Sequence, residues 1–211
     1  MLPIPPVTQA LMLICTAVFC LGELLTRFGV YVITGVGPAP VLEGWFALWP
    51  LGENMFWPWQ MVSYAFLHGG LMHLFFNMLG LWMFGSELER LWGHKRYLQF
   101  LFAGILAAAV AQLLVTALAG SRAPTVGISG GIFALLLAFG MLFPDRIIMP
   151  LFPPIPMKAR TFVVVFGALE LLLGLYSNAG VAHFAHLGGM VGGFLMIRYW
   201  RRQPPFGSRR R

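Results

Sequence analysis

Residues 97–119, YLQFLFAGILAAAVAQLLVTALA, run without one Asp, Glu, Lys or Arg. About 20 residues of helix cross the roughly 30 Å hydrocarbon core of a bilayer, so this stretch is long enough to span one. Outward from it, further apolar runs punctuated by charges, Pro and Gly predict spans near Thr8 to Val32, Trp59 to Phe84, Ser129 to Phe143, Thr161 to Tyr176 and His183 to Trp200. The whole chain of 211 residues is 59% hydrophobic and only 10% charged, with a mean hydropathy of +0.79, whereas soluble domains carry about a quarter charged residues. An ordinary soluble globule is excluded. The expected fold is all-α, an integral membrane bundle of six transmembrane helices.

The net charge of +7 would raise the question of nucleic acid in a soluble protein, but the basic residues sit in short connections and at the tail. Arg90, Lys95 and Arg96 follow the second span. Arg146, Lys158 and Arg160 lie between the fourth and fifth, and Arg198, Arg201, Arg202 and Arg209 to Arg211 follow the sixth. All fall on one side, while the opposite connections hold Glu43, Glu53 and Arg122. The positive-inside rule then places both termini in the cytoplasm and reads the charge as topology, with no nucleic-acid partner. Residues 33–58 combine Pro38, Pro40, Pro50 and Pro58 with Trp45, Phe46, Trp49, Phe56 and Trp57, a composition suited to the membrane interface. Cys15 and Cys20 form neither a disulfide framework nor a CxxC motif. Met1 to Gln9 hold no Lys or Arg, so the first span is expected to remain as an anchor, and no added soluble domain is expected.

Ionisable or strongly polar side chains inside such a bundle are costly and mark functional sites; here they are His68, His73, Asn77, Ser129, Glu170, His183 and His186. Counting back from the inner boundary at about 1.5 Å per residue puts Ser129 and His73 about 21 Å up and His186 about 18 Å up. Three spans thus bring polar groups to one level, roughly 10 Å below the outer face. A serine hydroxyl becomes a nucleophile when an imidazole within hydrogen-bond reach takes its proton, and His186 can serve Ser129. The only aspartate, Asp145, lies 16 residues past Ser129, about 24 Å along a helix, which excludes a Ser-His-Asp triad and leaves a dyad. The Ser129 backbone N–H, His73 and Asn77 are available as donors to an oxyanion; His73 and Asn77, at i and i+4, share a helix face.

Blander readings stand beside these. Gly127, Ser129, Gly130 and Gly131, like Gly188, Gly189, Gly192 and Gly193 after His186, also suit close helix packing. Glu170 reads as a hydrogen-bonded partner within the bundle, outside the mechanism. His183 and His186, at i and i+3, could share a metal, whereas His68 and His73 are about 140° apart around a helix and could not.

Three motifs in order, His68-Gly-Gly-Leu-Met-His73-Leu-Phe-Phe-Asn77, Gly127-Ile-Ser129-Gly130 and Ala185-His186-Leu-Gly-Gly189, resemble the rhomboid intramembrane proteases over essentially the whole chain. The resemblance implies Ser129 as nucleophile, His186 as general base, His73 and Asn77 in the oxyanion hole, and Gly189 and Gly193 packing the fourth and sixth spans. His68, Gly127 and Gly130 are supporting residues by the same likeness, and Glu89 with Gly93 matches a structural acidic position. In two places the chain departs from the family pattern: Trp59-Gln60 replaces a Trp-Arg pair, and Phe133 replaces the tyrosine that stacks on the imidazole. The likeness implies a protease domain over residues 1–203 with a basic cytoplasmic tail at 204–211. It further implies a bacterial six-span form in the inner membrane and single-span membrane proteins as substrates, with no metal or cofactor. A transporter or channel using the polar groups as a pathway, and an inactive escort of membrane proteins, are the rival classes.

Overall fold

The computed structural model describes residues 3–151, 154–176 and 181–201; the tail at 204–211 lies outside them. Helix α1 (Pro6–Arg27) opens with proline in its first turn and carries no acidic residue there. Its free first-turn N–H groups are instead met by Glu89, far along the chain. The carboxylate accepts from Val7 N at 3.0 Å, and from Thr8 N and Thr8 Oγ1 at 2.7 Å each. Two orphan backbone donors and the Thr8 hydroxyl are satisfied at once, and the negative charge sits at the positive end of the helix. Glu89 is 1% exposed and also holds His94 at 2.7 Å. Glu89→Ala is expected to cost about 3 kcal/mol, because it strands the buried Thr8 N–H and hydroxyl and the half-buried Val7 N–H. A thermal melt in detergent checks this, and an unchanged midpoint would refute it.

A hairpin follows, β1 (Tyr31–Thr34) against β2 (Gly37–Pro40), then a short α2 (Val41–Phe46). The aromatic connection is knit by Gln60, fully buried at the start of α3 (Gln60–Ser63). Its Oε1 accepts from Trp49 N at 3.3 Å and Trp57 N at 3.2 Å, and its Nε2 donates to Met55 O at 2.9 Å. A neutral amide, which can both donate and accept, thus holds the loop. Leu48 and Thr125 exchange backbone hydrogen bonds of 2.9 and 3.0 Å, tying this loop to the approach of Ser129.

The helix expected from Trp59 begins only at Leu71. Residues before it form α3 and a single 3-10 turn, Tyr64–Phe66, and the chain passes through Gly69 and Gly70 before α4 (Leu71–Gly80). At the other end helix continues past Phe84, through a π turn at Leu81–Gly85, into α5 (Ser86–Ala119). The break that the charged residues suggested near Phe84 comes instead at Gly93, whose φ of 74° is a left-handed value that glycine adopts without a Cβ clash.

Helix α6 (Ser129–Leu142) is buried nearly all round, as expected of a helix with no polar face. Its 14 residues span roughly 21 Å, short of a roughly 30 Å core. Helix α8 (Val181–Trp200) lies along α5 and α6 with its glycines inward: a Cβ on Gly188 or Gly192 would meet Ala107 O or Ala103 O of α5 at 3.0 Å. Close approach through small residues is how helices pack where lipid supplies no hydrophobic drive. Helix α7 (Ala159–Tyr176) is peripheral, with Val164 and Leu175 more than 60% exposed. Outward apolar faces of this kind suit lipid. Among the described residues, helix stretches Pro6–Arg27, Leu71–Ala119 and Ala159–Tyr176 are long and apolar enough to cross a membrane. One end gathers charge: Arg146 pairs with Glu87 at 3.1 Å, and Lys158, in the short hairpin of β3 (Ile147–Ile148) and β4 (Met157–Lys158), pairs with Asp145 at 3.0 Å. Among the described residues the two hairpins are the paired strands in an otherwise helical chain.

Candidate active site

Ser129 is the first residue of α6, preceded by Gly127 and by Ile128 at the N-cap. Gly127 has φ 115° and donates its N–H to Tyr64 O at 2.9 Å. A Cβ there would lie 2.6 Å from His73 Nε2, so only glycine leaves space for that ring beside the serine's loop. The first N–H groups of α6, including that of Ser129, have no acceptor within the helix and carry its positive end.

Ser129 Oγ stands 2.7 Å from His186 Nε2. This bond joins α6 to α8. The two helices come together because Gly189, one turn beyond His186, packs directly on the Gly130 carbonyl; any Cβ would overlap it. Gly193 lies less tightly against the same helix, where a Cβ would meet Ala134 at 3.1 Å and Phe100 of α5 at 3.0 Å. Phe133, one turn after Ser129, stacks on the imidazole with centroids 4.5 Å apart and planes within 6°. The ring face is therefore covered, and rotation about its side chain is restricted.

Ser129, His186, His73, Asn77 and Phe133 line one cavity of about 460 Å³, whose other walls are mostly apolar side chains of α4, the π turn, α6, α7 and the segment from Ile148 to Leu151. Asn77 is buried, and its Nδ2 has no hydrogen-bond partner among the described residues. A buried amide left as a donor into such a cavity is what an oxyanion would use. His68 lies behind His73, edge to face at 5.3 Å, and does not line the cavity.

Glu170 of α7 was expected to find a partner, and its partners are the histidines of α8. Its Oε2 lies 2.7 Å from His186 Nδ1 and 2.7 Å from His183 Nδ1. The sequence reading set this residue apart from the site. Depth counting could have found it, since Glu170 lies six residues before Tyr176 and His186 five after Val181, about 9 and 8 Å from the facing ends of α7 and α8.

A family model described as the Rhomboid domain matches residues 56–203. The chain is 27% identical over 198 residues to proteins named Rhomboid protease GlpG from Yersinia pestis (strain Pestoides F), Yersinia pseudotuberculosis serotype O:3 (strain YPIII) and Yersinia enterocolitica serotype O:8. The match takes in 92% of this chain, which spans 62% of the length of these relatives. The apolar helices fit a membrane protein, and the chain belongs to the rhomboid family.

Proposed function

We propose that this protein is an intramembrane serine endopeptidase that cleaves single-span membrane proteins near the outer end of their transmembrane helix, with Ser129 as nucleophile and His186 as base. The observation that carries this reading is the 2.7 Å contact between Ser129 Oγ and His186 Nε2 at the wall of a cavity. Glu170 bonds His186, and His73 and Asn77 line the cavity that holds the serine–histidine contact, so these polar groups gather at one site, which favours hydrolysis over conduction.

Ser129 Oγ–H gives its proton to His186 Nε2 as the oxygen bonds to the scissile carbonyl carbon. The resulting oxyanion is met by the Ser129 N–H, Asn77 Nδ2 and the His73 ring, each such donor being worth about 3 to 4 kcal/mol. The imidazolium returns its proton to the departing amine, leaving an acyl-serine. Water, deprotonated by the same nitrogen, then releases the acid. A helical peptide bond is shielded by its own hydrogen bonds, so the substrate must unwind before it can reach the serine. Residues 1–203 form the protease domain in this reading, as six spans in the inner membrane with both termini and the tail in the cytoplasm. Gly93 divides the long Leu71–Ala119 stretch into the second and third spans, and α6 and α8 supply the fourth and sixth.

Labelling tests the reading. A fluorophosphonate is expected to modify Ser129, and His186→Ala to slow that modification by about 10²-fold or more, since the alcohol loses its base. In-gel fluorescence of the purified protein in detergent reads it. Labelling at an unchanged rate in His186→Ala would remove the pair.

A further inference from the structure

The geometry points to Glu170 as the positioning carboxylate of the site, turning the Ser129–His186 pair into a Ser–His–Glu relay; this rests on the protease reading above. An ionised carboxylate only accepts hydrogen bonds. Its 2.7 Å contact with His186 Nδ1 therefore requires a proton on that nitrogen. A neutral imidazole protonated at Nδ1 carries its lone pair on Nε2, the atom 2.7 Å from Ser129 Oγ, and it is the tautomer that can accept the serine proton. The opposite tautomer would place an N–H against the hydroxyl and leave no base. When His186 takes the proton, the imidazolium forms beside a carboxylate of which only 12% is exposed, where charge attraction is stronger than in water.

Three helices share the task. α6 supplies the nucleophile, α8 the base and α7 the carboxylate, while Phe133 holds the ring plane from the other side. His183 Nδ1 bonds the same Oε2 at 2.7 Å, which stops the carboxylate from rotating off His186. The contacts are hydrogen bonds: two ligands bound tetrahedrally to one zinc at about 2.1 Å would stand roughly 3.4 Å apart.

Kinetics on the full chain in detergent, with a fluorogenic single-span substrate, test this. Glu170→Gln and Glu170→Ala are expected to lower kcat by about 10²-fold or more with KM little changed, and Glu170→Asp to recover about tenfold of that loss. Nitrogen-15 NMR of histidine-labelled protein is expected to show His186 protonated at Nδ1 and bare at Nε2 in the wild type, and a mixture of tautomers in Glu170→Gln. The spectrum of the wild type needs no variant to fold, and a proton resident on Nε2 there would overturn the assignment. So would a kcat within about threefold of wild type in Glu170→Gln, a loss confined to KM, or cleavage abolished by EDTA and restored by zinc. Each of these leaves the protease reading intact as long as Ser129→Ala is inactive. Activity surviving Ser129→Ala would instead sink that reading, whatever Glu170 does.

Discussion

Ser129→Ala is expected to abolish cleavage of a single-span substrate, lowering kcat by about 10⁴ to 10⁶-fold, the scale on which removal of an enzyme's nucleophile is felt. The size of the effect follows from the role: without Oγ no acyl intermediate can form, and the oxyanion donors alone retain only a small part of the catalysis. The fold is expected to survive. Alanine is a better helix former than serine at the start of α6, and the bond lost there is the one to His186 Nε2. Cleavage measured by gel shift in detergent, beside a thermal melt, separates the two effects. Turnover within about tenfold of wild type would sink the assignment of the nucleophile.

Much of the arrangement behind that expectation was legible without coordinates, because a bilayer turns residue number into depth. Helices that must cross the same slab put residues at equal counts on equal levels, so Ser129, His73 and His186 could be placed together from spacing alone. Their meeting in the structure depends on Gly130 and Gly189, whose absent side chains are equally visible as letters. The same rule shows why the second helix was misplaced. Residues 59–70 are apolar and aromatic enough to read as span, but hydropathy does not register that Gly69 and Gly70 interrupt the helix, or that Gln60 anchors the preceding loop through four groups of its backbone. Glu89 was recognised by resemblance alone. Its physical task, capping α1 from 81 residues away, is a long-range contact that no local pattern encodes. Glu170 is legible as an intramembrane acid that needs a partner, but its choice of His186 is a contact between two helices that spacing within either one does not encode.

The second large effect is expected at Gly189. A Cβ there would overlap the Gly130 carbonyl oxygen and come within 2.7 Å of its carbon. Neither is the tip of a flexible side chain, so α6 and α8 must move apart to admit a methyl group. The Ser129–His186 bond runs between those two helices. A displacement of about 1 Å at such a contact can cost about 10²-fold in rate, and overpacking costs about 1–3 kcal/mol of stability besides. Gly189→Ala is therefore expected to lower kcat/KM by about 10²-fold, with a lower melting midpoint. Gly167→Ala is the matched control. Its Cβ would meet only the end of the Met190 side chain, with Cε at 3.3 Å, which can turn aside. Alanine also gains about 1 kcal/mol in helix propensity over glycine, so this variant is expected to cleave at close to the wild-type rate. Equal activity in the two variants would mean that the α6–α8 spacing does not limit the reaction, and that the serine and histidine reach each other by some motion other than close packing at Gly130.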